Sequence, residues 1–135
     1  MKTPQGRLTV HFRNIYKQYS VSEDMRDLLT SKGLELHERH RIQSAAADEI
    51  QQRAVDLART LPQDQFETVN EVVDRIRGME QALDNVAAKI SVDRLQELTR
   101  EELTDVQTIF RMVDDVLQKV ERDMRETTQL LETIE

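Results

Sequence analysis

The sequence predicts an all-α protein: an antiparallel helical bundle of three long helices, with a short N-terminal helical region before it and a long coiled-coil-like helix at the C-terminal end. Three observations predict it. Apolar residues recur in steps of three and four, the spacing of a helical face, and 3 Gly and 2 Pro among 135 residues leave few places to break a helix. The last third supplies the third observation. There Leu103, Val106, Phe110, Val113, Leu117, Val120, Met124, Thr127, Leu131 and Ile134 form a narrow seam in which only Thr127 is polar, a pattern suited to facing another helix. With 38% apolar and 33% charged residues the chain carries enough for one modest core inside a heavily solvated surface.

Taken in chain order, residues 1–22 are a basic, aromatic arm and residues 23–135 the bundle domain. The arm carries Lys2, Arg7, Arg13 and Lys17 with no acid, a net +4 against −11 in the remainder, and it holds Phe12, Tyr16 and Tyr19, three of the five aromatic residues. Phe12, Ile15, Tyr16 and Tyr19 share one helical face, which predicts a short helix over about residues 9–19. The competing strand pattern of Leu8, Val10 and Phe12 has no partner strand in the chain.

Ser20 with Glu23, or Ser22, then caps a helix carrying Met25, Leu28 and Leu29, which Gly33 is expected to end in a left-handed C-terminal cap. The pattern resumes at Leu34 and runs through Leu36, Ala47, Ile50, Ala54, Leu57 and Leu61 until Pro62 stops it. Ala45, Ala46 and Ala47 make that helix thin enough for close approach. Asp64 with Glu67 is expected to cap the next helix, whose buried side is Val69, Val72, Val73, Ile76, Met79, Leu83, Val86 and Ile90. Gly78 inside this run costs about 1 kcal/mol relative to Ala. Thr99 and Glu102 have capping-box spacing, so a turn within residues 91–99 is expected rather than one helix of about 70 residues. On the final helix Ile109, Met112, Val116 and Leu130 add a second apolar edge, which widens the stripe beyond what one neighbour covers. Acid-before-base pairs four residues apart, Glu35–Arg39, Glu49–Arg53, Glu71–Arg75, Asp115–Lys119 and Glu121–Arg125, account for much of the charge, each worth about 0.2–0.5 kcal/mol.

Cysteine is absent, which excludes disulfides, thiolate metal sites and thiol nucleophiles. No apolar run reaches the ~18–20 residues of a membrane span, and the start MKTPQGRLTVHF lacks the apolar centre of a signal peptide, so a cytoplasmic protein is expected. His37 and His40 in LHERH stand three apart. They suggest metal binding or phosphotransfer, but the only other histidine is His11, and no Glu-x-x-His pair supplies facing ligands. Glu101 with Glu102 and Asp114 with Asp115 point about 100° apart on a helix and do not converge as an acid/base dyad must. No phosphate-cradling Gly loop or nucleophile motif occurs. No cofactor or metal site is therefore assigned, and enzymatic activity is not expected.

The functional expectation is a non-enzymatic helical interaction module, a self-associating scaffold, adaptor or chaperone-like protein, with a dimer favoured and another helical protein as the other partner class. The seam residues Val113, Leu117, Val120, Met124, Leu131 and Ile134 are the candidate pairing surface, and Phe12, Tyr16 and Tyr19 of the arm a second candidate contact. The alternatives are a small regulatory bundle using His37 and His40, and nucleic-acid binding through the arm, against which the acidic body argues.

Overall fold

The computed structural model describes the backbone of residues 4–135 and the side chains of residues 23–135. Three helices form the fold: α1 (Pro4–Ala58), α2 (Phe66–Ala87) and α3 (Arg100–Glu132), with 3-10 turns at Gln63–Gln65 and Leu95–Glu97. Each helix packs on the other two, and no strand occurs among the described residues. Two short connections make α2 antiparallel to both neighbours. Lys32 and Arg39 meet Asp114 near one end, and Arg53 meets Glu135 at the other, so α1 and α3 run parallel.

One helix replaces the separate segments that the cap signals suggested before residue 61. Gly33 does not end a helix: no described glycine has positive φ, and α1 runs through it. It is buried where the 88–99 connection crosses α1. A methyl at this position would collide with Val92 Cγ1 and stand 3.3 Å from the Phe110 ring. Close approach, not backbone freedom, is what requires glycine here. Helix α1 also passes the boundary between residues 22 and 23 without a break.

The core repeats in heptads. From α1 come Leu29, Gly33, Leu36, Gln43, Ala47, Ile50 and Ala54; from α2 Val69, Val72, Ile76, Met79, Leu83 and Val86; from α3 the seam itself. Each fully buried Leu, Ile or Val contributes about 1.5–3 kcal/mol by leaving water. Beyond Ala58 the backbone tightens, with Thr60 N–H donating to Leu57 O at 3.0 Å, and Pro62 prevents continuation. Asp64 is not the cap of α2: it lies in the 3-10 turn, and the N-cap is Gln65, whose side chain makes no capping bond. Helix α2 also stops at Ala87, so Ile90 is buried from the connection instead of from the helix.

The second connection takes the form that the capping box implies. Glu102 N–H donates to Thr99 Oγ1 at 3.2 Å, and Thr99 N–H donates to Glu102 Oε1 at 3.1 Å, starting α3 at Arg100. The preceding loop is tied to α1 by Arg26, whose guanidinium donates to Leu95 O at 3.2 Å and Leu98 O at 2.8 Å. Leu98 O thus gains a charged donor, and Leu95 O gains one beside the Leu98 N–H it already accepts at 3.4 Å.

Candidate interaction surface

The predicted pairing residues sit inside the bundle. Val113, Leu117, Val120, Met124 and Leu131 are all buried against α1 and α2, and Ile134 is partly buried against the same core. The chain's own helices therefore cover this seam. Its polar member, Thr127, is fully buried and donates its hydroxyl to Asp123 O at 2.6 Å, which is how a threonine is accommodated in an apolar stripe. The side chains of Phe12, Tyr16 and Tyr19 lie outside the described residues.

The polar candidates hold structural positions. His40 Nε2–H donates to Leu83 O at 2.9 Å and ties α1 to α2, whereas His37 is exposed. Glu102 is engaged in the α3 cap, and Glu101 beside it is exposed. Asp114 turns toward α1 while Asp115 points to solvent. Among the described residues no three His, Cys, Asp or Glu side chains assemble a metal-ligand group, and no helix is long and apolar enough to cross a membrane.

Charge closes the middle of the α1–α3 seam. Arg39 reaches Asp114 at 2.5 Å, Glu121 at 3.1 Å and Glu35 at 3.6 Å, and Lys32 reaches Asp114 at 3.1 Å. Gln43, buried at a core position of α1, donates to Glu121 Oε1 at 2.9 Å and to Leu117 O at 3.3 Å. Its own Oε1 has no partner among the described residues. The hydrogen bond from Arg39, reinforced by Lys32, holds the Asp114 carboxyl below the ordinary aspartate range despite partial burial. Between α1 and α2 the balance reverses: burial, with the Asp48 and Asp84 carboxylates nearby, pushes Glu80 above the ordinary range. Of the five expected acid-before-base pairs, Glu35–Arg39 and Glu71–Arg75 form, whereas Arg53 takes Glu135 and Glu121 takes Arg39 across helices.

The α2–α3 seam is open. A groove of 460 Å³ runs between the helices, lined by Arg75, Gly78, Met79, Ala82, Val116, Lys119, Val120 and Asp123. No atom beyond the helix's own backbone stands within 4 Å of where a Cβ on Gly78 would be. The second apolar edge continues along the same face of α3 beyond the groove: Met112 is 58% exposed and Ile109 37%, with Val116 and Leu130 partly buried. Arg75 pairs with Glu71 at 3.2 Å and Glu126 at 3.8 Å, while neither Lys119 nor Asp123 makes an ion pair among the described residues. The α1–α3 seam also opens at one end, where grooves of 260 and 290 Å³ adjoin Leu28, which is 71% exposed beside Met25 and Gln107. Gly78 and the Lys119–Asp123 pair were not marked by the sequence as surface features. A glycine that interrupts a helical run without ending it was the available signal.

The chain matches no protein-family model, no curated protein and no solved structure.

Proposed function

We propose that this chain is a non-enzymatic helical interaction module that assembles with a second copy of itself, as a scaffold or adaptor does. The observation that carries this reading is the open α2–α3 face. A bundle that buries its three apolar stripes elsewhere leaves a groove walled by Gly78, Ala82 and Val116, and Met112 and Ile109 stand exposed one and two turns before Val116 on the same helix. Exposed apolar side chains scattered singly need no explanation, but apolar groups gathered along one groove mark a contact surface. The polar groups that chemistry would recruit have structural work instead: His40 at a carbonyl of α2, Glu102 in a helix cap, and Asp114 between two cations. That distribution supports a binding role over a catalytic one.

Light scattering on the full chain after gel filtration tests the reading. A mass twice the 15.8 kDa of one chain is expected at micromolar concentration. Met112→Glu should return the mass to one chain without loss of helicity, because that side chain faces solvent within the single chain. A mass of one chain at every concentration up to the millimolar range would contradict self-association.

A further inference from the structure

We infer that the second copy docks antiparallel along the outer edge of α3, in one register fixed by residue 121. This rests on the self-association proposed above and names the surface and alignment that would produce it. Along that edge Met112, Val116, Lys119, Asp123, Glu126 and Leu130 recur in steps of four and three, a second heptad stripe beside the one that faces the core. The stripe is self-complementary when reversed. A two-fold axis level with residue 121 sets Lys119 against Asp123 of the second copy, Val116 against the aliphatic stem of Glu126, and Met112 against Leu130. Every such pairing occurs twice.

Two features of the single chain fit this arrangement. Lys119 and Asp123 are the charged groups on the groove wall that make no ion pair within the described residues, whereas Lys32 and Arg39 on the α1–α3 seam are paired. The charge left over on this groove wall is thus one cation and one anion, placed where a reversed copy of the same helix presents the opposite sign. The empty space at Gly78, next to Val116 and Val120, gives side chains of the second α3 room to enter beside the helix they pair with. A parallel alignment of the two α3 edges would instead bring Lys119 against Lys119 and Asp123 against Asp123, which like-charge repulsion opposes.

The register is tested by cysteine pairing, for which a chain without cysteine is a clean background. In Met112→Cys/Leu130→Cys the two thiols are about 27 Å apart along one helix, far beyond the ~7 Å Cα separation that a disulfide spans, so only a second copy can close the bond. Mild oxidation should convert the double variant to a covalent dimer and leave each single variant uncrosslinked. The charge pair gives an independent readout: Lys119→Asp or Asp123→Lys should each raise the dimer dissociation constant roughly tenfold, and Lys119→Asp with Asp123→Lys should restore it. A native dimer that crosslinks through Met112→Cys alone, or through neither position, overturns this register while self-association stands. A double charge swap no better than the single reversals also overturns it. A chain that stays at one-chain mass overturns both.

Discussion

The two seams that α3 makes differ in how their charges are spent. Against α1, Asp114 and Glu121 gather Lys32, Arg39 and Gln43, and the ion pairs lie within the chain. Against α2, the wall holds Gly78 and Ala82 where larger side chains would fill the gap, and Lys119 and Asp123 stay unpaired among the described residues. A bundle of this size could have closed both seams in the same way. The difference separates a contact the chain makes with itself from the face proposed above for a second copy, and the two glycines differ in the same way: Gly33 is crowded and Gly78 is open.

The largest change tests the core that both seams share. Leu117 is fully buried at the level of the Gln43 contact, so Leu117→Ala is expected to lower unfolding free energy by about 2–5 kcal/mol, read from urea denaturation. The glycines come next and have opposite signs. Gly33→Ala should destabilise by about 1–3 kcal/mol, because overpacking against Val92 and Phe110 outweighs the better helix propensity of alanine. Gly78→Ala meets open space within the single chain, so at concentrations too low for pairing it should stabilise by up to about 1 kcal/mol. Thermal unfolding of both variants side by side checks the contrast, and two changes of the same sign would remove it.

Asp114→Asn should cost about 1–2 kcal/mol at pH 7, since a partly exposed carboxylate that accepts from Arg39 and Lys32 is only partly screened by water. The pH dependence fixes the sign. The folded carboxyl titrates below its unfolded value, so its contribution is full above the unfolded value and is lost as pH falls through the folded one. The gap between wild type and variant should therefore shrink below about pH 4. Glu80 carries the smallest effect and the opposite sign. Its folded carboxyl titrates above its unfolded value, so the charged form is a penalty at neutral pH that is relieved on acidification. Glu80→Gln should be neutral to slightly stabilising at pH 7, by less than about 1 kcal/mol, and the gain should fade toward pH 4 in the same titration.

Periodicity made the core legible. Every seam residue from Leu103 to Leu131 except the partly buried Val106 is buried as its spacing implies, and the Thr99–Glu102 box marks the start of α3. Helix ends were less legible where the signal was one residue. Gly33 reads as a cap in isolation because glycine serves both backbone freedom and close approach, and only the packing of Val92 and Phe110 separates the two uses. Asp64 failed as a cap for a related reason: the chain after Pro62 enters a 3-10 turn before it can begin α2. The proposed interaction face was legible in half. Ile109, Met112, Val116 and Leu130 stood out as a second apolar edge, but which seam α2 would leave open depended on Gly78 and Ala82, small residues that carry no pattern of their own. Cross-helix partners such as Arg39 with Asp114 were hidden as well, since sequence spacing reveals only pairs within one helix.

Methionine oxidation compares the two seams in the native chain without substitution. Met112 stands exposed on the α2–α3 edge, Met25 lies partly exposed beside Leu28 at the other seam, and Met79 and Met124 are buried. Peroxide oxidation followed by mass spectrometry, over protein concentrations from submicromolar to millimolar, reports each side chain separately. The account predicts that oxidation of Met112 slows as concentration rises while that of Met25 does not change. Oxidation of Met112 at one rate throughout, or protection of Met25 in its place, would contradict it.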